Sequence, residues 1–172
     1  MCGIAGYYNM SGAAASLETI HAMTATLRHR GPDGLDVFVE GAVALGHSRL
    51  AILDLTSAGQ QPMSTADNLY TIVFNGEIYN YLELRQQLVS LGYNFKSRTD
   101  TEVVLNAYRE WGADCVPRFN GMFAFCILDS RKRELFFARD RYGIKPLYYA
   151  CFGDVFLFAS EAKAFMRHPA FR

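Results

Sequence analysis

Apolar residues recur in short runs from one end of the chain to the other, and two periods can be read in them. Runs rich in aromatic and β-branched residues predict strands at Gly3–Tyr8, Ala42–Ser48, Leu69–Phe74, Met122–Asp129, Glu134–Ala138, Leu147–Ala150 and Val155–Ala159. Asp129 to Lys132 has the polar composition of a hairpin turn between two of them. Three other stretches keep a helical period. Leu17, Ile20, Met23 and Leu27 form one apolar face, Tyr81, Leu84, Leu88 and Leu91 a second, and Val104, Leu105, Tyr108 and Trp111 a third. Thr99 followed three residues later by Glu102 predicts a capping box at the start of the third helix. Consecutive short strands with a few one-sided helices predict an α+β layered domain rather than alternating βαβ units.

Composition narrows this further. The chain has 172 residues, 51% of them hydrophobic, enough for one substantial core, so a single domain over residues 1–172 is expected. No repeat or low-complexity linker interrupts it. Lys plus Arg equals Asp plus Glu at 17 each, with no basic block, so neither nucleic acid nor an anionic membrane is an expected partner. No apolar stretch approaches a membrane span, and no signal peptide is visible. Cys2, Cys115, Cys126 and Cys151 form no C-x-x-C pair, so a zinc site is not suggested; a reducing cytoplasm fits, with the last three read as core thiols.

The chemistry begins at Cys2. Removal of Met1 would leave a thiol and a free α-amine on one residue, and an α-amine titrating at about 7.7 to 8.0 can accept the thiol proton at neutral pH. Arg28-His29-Arg30-Gly31-Pro32-Asp33 ends the first helix with cations at its negative pole and breaks it. Gly46-His47-Ser48-Arg49-Leu50 sets one Arg among small and apolar residues, as an anion ligand or as half of an ion pair. Asn75-Gly76 at a strand end reads as a turn when taken alone, and Asp100 as a favourable acid in a helix first turn.

Taken in order, Cys-Gly-Ile, Arg-His-Arg-Gly-Pro-Asp, Gly-His-x-Arg-Leu, Phe74-Asn75-Gly76-Glu77-Ile78-Tyr79-Asn80 and Thr99-Asp100-Thr101-Glu102 closely resemble the glutaminase domain of asparagine synthetase, a class II glutamine amidotransferase of the N-terminal-nucleophile hydrolase type. Phe119-Asn120-Gly121-Met122, Ala138-Arg139-Asp140-Arg141-Tyr142-Gly143 and Ala159-Ser160-Glu161-Ala162-Lys163 extend the resemblance over essentially the whole chain. It implies a four-layer αββα sandwich of two antiparallel sheets. It also implies that Cys2 attacks the carboxamide of glutamine and that Asn75 and Gly76 stabilise the oxyanion. Arg49 would grip the α-carboxylate and Asp100 the α-ammonium, with Glu77 assisting and backbone near Ile52 contributing.

The implied partners are L-glutamine and a C-terminal synthetase domain of the same polypeptide, with a homodimer left open. No cofactor or metal is expected in this domain; ATP and Mg belong to the synthetase domain, whose Ser-Gly-Gly-x-Asp-Ser loop does not occur in this sequence. Two rival readings stand beside this one. They are an N-terminal-nucleophile amidase of another substrate, and a non-catalytic interaction domain that keeps Met1.

Overall fold

The elements follow the apolar runs closely. In chain order they are β1 (Gly3–Asn9), α1 (Leu17–Ala25), β2 (Gly34–Glu40), β3 (Val43–Arg49), β4 (Met63–Ser64), β5 (Tyr70–Ile78), α2 (Tyr81–Ser90), α3 (Asp100–Trp111), β6 (Gly121–Asp129), β7 (Glu134–Arg139), β8 (Tyr148–Phe152) and β9 (Val155–Ala159). The structure is a computed structural model and describes residues 1–171. The strands form two sheets with all pairings antiparallel, and helices accompany each sheet, so the α+β class and the two antiparallel sheets are as expected. The chain divides into two compact units, residues 1–50 with 145–172, and residues 51–144.

The first unit holds the five-stranded sheet, in the order β2-β3-β1-β9-β8. β1 is its central strand, and it pairs with β3 (Gly3 opposite Ser48) and with β9 (Ala5 opposite Ala159). Helix α1 covers one face. Ser16 caps it, its side chain accepting from the Thr19 amide, and Ile20, Met23 and the following Leu27 pack fully buried against Ala5, Tyr7, Ala44 and Leu157. Burying each of those three side chains stabilises the layer by about 1.5–3 kcal/mol.

The second unit holds the sheet β4-β5-β6-β7. The aromatic run of β6 supplies Phe123 and Phe125, which join Ile72, Phe74 and Ile78 of β5 in a core with Leu84 and Leu88 of α2 and Val103 and Val104 of α3. At the β6–β7 hairpin the Asp129 carboxylate accepts from the Arg131 and Lys132 amides at 3.0 and 3.1 Å, which is the predicted turn.

Several expectations are corrected. β2 and β4 were not foreseen, although Leu35, Val37 and Val39 alternate with Asp36 and Glu40; Phe38 on the polar register obscured the pattern. Leu17 and Leu91 are exposed because they flank their helices at the ends, beyond the packed turns. Cys151 is exposed on the sheet-edge strand β8, so it is not a core thiol, whereas Cys115 and Cys126 are buried. The capping box is half made. Thr99 Oγ1 accepts from the Glu102 amide at 3.3 Å, but the Glu102 carboxylate turns to the amides of Lys96 and Ser97 instead of the Thr99 amide.

Two of the three leucines of the second apolar face separate cleanly. Leu88→Ala, at a fully buried position, is expected to cost about 2–5 kcal/mol. Leu91→Ala, half exposed one turn later, should change stability by less than about 0.5 kcal/mol. Denaturant titration of the two variants measures both.

Candidate functional site

Cys2 and Arg49 lie in the first unit, at one end of the β1–β3 pair. The register that sets Gly3 against Ser48 sets Cys2 against Arg49 when continued by one residue. The thiol of Cys2, partly exposed, sits at the backbone of the next residue: the Leu50 amide approaches Sγ at 3.3 Å and the Leu50 carbonyl lies at 3.6 Å. The Cys2 carbonyl, just outside the β1 ladder, accepts from Arg30 Nε at 3.0 Å. The loop that the Arg-Gly-Pro-Asp string forms is tied to the same place, since the Asp33 amide donates to the Arg49 carbonyl at 3.0 Å.

Asn75, Gly76, Glu77, Asp100 and Ile52 lie in the second unit, and β5 brings the first four together. Antiparallel pairing alternates between pairs that exchange hydrogen bonds and pairs that do not. Gly76 stands opposite Phe123, whose amide and carbonyl are both engaged by Asp140, at 3.2 and 2.8 Å. Gly76 and Phe123 are therefore a non-hydrogen-bonded pair, and the amides of Phe74, Gly76 and Ile78 all point to the other side of β5. There β4 is only two residues long and reaches no further than Ile72.

Two of those three amides are taken by side chains. The Phe74 amide donates to Gln61 Oε1 at 2.6 Å and the Ile78 amide to Asp100 Oδ2 at 2.9 Å. The Gly76 amide between them has no acceptor among the described residues. The side chain of Asn75 adds a second such donor, for its Nδ2 is buried and hydrogen-bonds nothing among the described residues. A glycine is also required sterically at position 76: a Cβ there would lie 2.5 Å from the Met122 carbonyl oxygen and 2.7 Å from Phe123 Cα.

Asp100 is the first residue of α3 and almost fully buried. Burial pushes its carboxyl up to about 6, against the lowering effect of the Ile78 and Thr101 amides, and the nearby Glu77 carboxylate raises it further. Gln61 and Asp54 position it. Gln61, buried, spans from the Phe74 amide to Thr101 Oγ1 at 3.1 Å, and Asp54 accepts from the Arg98 amide at 3.1 Å while its other oxygen holds Thr56. Ile52 stands in the loop that Asp54 anchors, with its side chain exposed. Arg30, Gln61 and Asp54 escape a reading of the sequence alone, because their partners lie 13 to 44 residues away or, for Arg30, on a backbone carbonyl.

Among the described residues no group of three or more His, Cys, Asp or Glu side chains could hold a metal ion, and no helix is long and apolar enough to cross a membrane. The second unit offers free hydrogen-bond donors at β5 and a buried carboxylate on α3; the first, taken by itself, offers a thiol just before β1 and a guanidinium at the end of β3.

Residues 1–172 match the model of the glutamine amidotransferase domain family. The chain is 45% identical over 172 residues to asparagine synthetase [glutamine-hydrolyzing] 3 of Bacillus subtilis, covering 98% of this chain and 28% of that protein. It is 43% identical over 184 residues to a putative asparagine synthetase [glutamine-hydrolyzing] 2 of Methanocaldococcus jannaschii, covering 96% of this chain and 35% of that one. The chain thus spans about a third or less of the length of these relatives. Among solved structures, glutamine phosphoribosylpyrophosphate amidotransferase from B. subtilis superposes with a TM-score of 0.81 at 25% identity, over 96% of this chain and 43% of that one.

A carboxyl held at about 6 rather than 3.8 binds its proton more tightly in the folded than in the unfolded chain. Its ionisation therefore lowers stability as pH rises from about 4 to 6, and the full cost is present above that range. Asp100→Asn is expected to be more stable than the parent chain at pH 8 by about 1–3 kcal/mol, and equally stable below about pH 4. Urea titrations at the two pH values read the difference.

Proposed function

We propose, for a chain that belongs to the glutamine amidotransferase domain family, that residues 1–172 form a glutaminase domain in which Cys2, once Met1 is removed, hydrolyses glutamine to glutamate and ammonia. The observation that carries this reading is the pair of unclaimed donors at β5, the Gly76 amide and Asn75 Nδ2. A buried donor without an acceptor costs about 1–3 kcal/mol. Two of them side by side are what an oxyanion needs, since donors fixed before the reaction require no reorganisation when the charge forms.

The steps follow from the groups present. The α-amine of Cys2 takes the thiol proton, and the thiolate adds to the side-chain carboxamide carbon of glutamine. The carbonyl oxygen becomes an oxyanion held by Asn75 and Gly76. The new α-ammonium then protonates the departing nitrogen, ammonia leaves, and a γ-glutamyl thioester remains on Cys2. Water, losing its proton to the same amine, attacks the thioester, and the returning proton releases the thiol and glutamate. A retained Met1 would convert the amine to an amide and remove the base.

The substrate is held by its opposite charges. Arg49 matches a planar α-carboxylate with its guanidinium fork. Asp100 pairs with the α-ammonium, with Glu77 adding negative charge beside it and the backbone near Ile52 completing the pocket. An arriving ammonium offsets the burial that raises the Asp100 carboxyl, so binding and ionisation favour one another. Relatives more than twice as long support a longer polypeptide, in which a synthetase domain uses ATP and Mg to activate an acceptor, aspartate in this reading, for the ammonia. The proposed setting is the cytoplasm, and a homodimer is compatible with it.

Incubation with a diazoketone analogue of glutamine, followed by peptide-mapped intact mass, tests the core of the proposal. The expected result is a chain lacking Met1 with one adduct on Cys2, blocked by glutamine and not by asparagine; a processed but unlabelled chain overturns it. Asn75→Ala is expected to lower turnover about a hundredfold or more, the effect of about 2.7–4 kcal/mol seen when one oxyanion donor is deleted elsewhere. The pH profile of kcat/KM should carry an acid limb near the Asp100 value of about 6, because a protonated Asp100 no longer pairs with the ammonium. Asp100→Asn should abolish that limb and raise KM.

A further inference from the structure

The residue that bears the nucleophile is fixed at a point the reaction does not touch. The Cys2 carbonyl lies outside the β1 ladder and accepts from Arg30 Nε at 3.0 Å. Arg30 reaches it because Gly3 has no side chain: a Cβ at Gly3 would stand 2.8 Å from Leu27 Cβ and 3.4 Å from the Arg30 stem. The guanidinium is itself held from 131 residues away, where Glu161 Oε1 accepts from Arg30 Nη1 at 2.9 Å. Arg30 is largely buried and Glu161 partly exposed, with side-chain exposures of 10% and 27%.

Glu161 is gripped on all sides. His29 Nε2 approaches Oε1 at 3.0 Å and Lys163 Nζ approaches Oε2 at 3.0 Å. Burial alone would raise its carboxyl, but the hydrogen bonds from Arg30, Lys163 and His29 outweigh that and hold it at about 2, so it is ionised throughout the working pH range. The neighbouring Ser160 is latched to the same strand, exchanging two bonds with Ile4: its amide donates to the Ile4 carbonyl at 2.8 Å and its hydroxyl accepts from the Ile4 amide at 3.0 Å. Residues 160 and 161 thus clamp β1 at Ile4 and, through Arg30, at Cys2.

We propose that Glu161 is a positioning residue for the glutaminase reaction: by anchoring the Arg30 guanidinium it fixes the Cys2 carbonyl, and with it the torsion that aims both thiol and α-amine. This inference rests on the function proposed above. Without Glu161 the buried guanidinium loses its counter-ion and the carbonyl is free to turn. A misplacement of about 1 Å at a reacting group costs on the order of a hundredfold in rate. The substrate's own anchors, Arg49 and Asp100, are untouched, so the loss falls on kcat and not on KM.

The test measures glutamine hydrolysis and diazoketone labelling of Cys2 in the full chain and in four variants. Glu161→Gln is expected to slow both about ten- to a hundredfold with KM for glutamine changed less than about threefold. Combined with Arg30→Gln, it should add nothing to the loss caused by Arg30→Gln alone, because the two act in series. Lys163→Met, which removes a different partner of Glu161, should stay within about twofold of the parent. Parental rates in Glu161→Gln, losses that multiply in the double variant, or a rise in KM at constant kcat would each overturn the proposal. If Glu161→Gln does not fold, Glu161→Asp keeps the charge but shortens the reach by one methylene, and parental labelling in that variant is the overturning result. Failure of the parent chain itself to label would count against the glutaminase reading instead.

Discussion

Antiparallel pairing obliges every second amide of β5 to face away from β6, and the two-residue β4 cannot meet them all. The candidate site in the second unit depends on how that shortfall is made up. Side chains stand in for the missing strand, Gln61 at Phe74 and Asp100 at Ile78. The same substitution carries β5 into the first turn of α3, because Gln61 also binds Thr101 and Asp100 is the residue that opens the helix. A longer β4 would satisfy Gly76 as an ordinary ladder residue and leave no donor to offer.

The stability cost of this arrangement is concentrated in few groups. Asp100 is a carboxylate in a place where burial opposes its charge, and Asn75 Nδ2 is an amide donor with no acceptor among the described residues. Both are poor choices for a protein selected only to fold, and they fit the ammonium and the oxyanion of the proposed reaction. The surrounding core carries the burden, through the fully buried β5, β6 and α3 side chains that hold these groups in place.

How much of this could be read from the sequence depends on the range of the interaction. Helix periodicity found Ile20, Met23, Leu84 and Leu88, because a helix face repeats within one turn, and the strands β1, β5, β6, β7, β8 and β9 announced themselves by aromatic and β-branched runs. β2 did not, since Phe38 broke its alternation. The residues named for chemistry came from ordered motifs, which single out Cys2, Asn75 and Asp100 as candidates without saying what holds them. Gln61, Asp54 and Arg30 do that holding, and no local pattern reveals a contact made across 13, 44 or 28 residues. Ile52 marks the opposite case: it was named for its backbone, and its side chain is exposed.

The strand order of the first sheet sets a timetable. β1 is flanked by β3 and β9, so one of its edges has no partner until residues 155–159 have been made. Ser160 and Glu161, which secure Ile4 and Arg30, come later still. During synthesis the first residues therefore emerge early and wait, unpaired on one side, while more than nine-tenths of the sequence follows. Such non-local pairing is slow to form. Here the delay means that β1, which begins directly after Cys2, gains its second neighbour only when the last strand of the sheet has arrived.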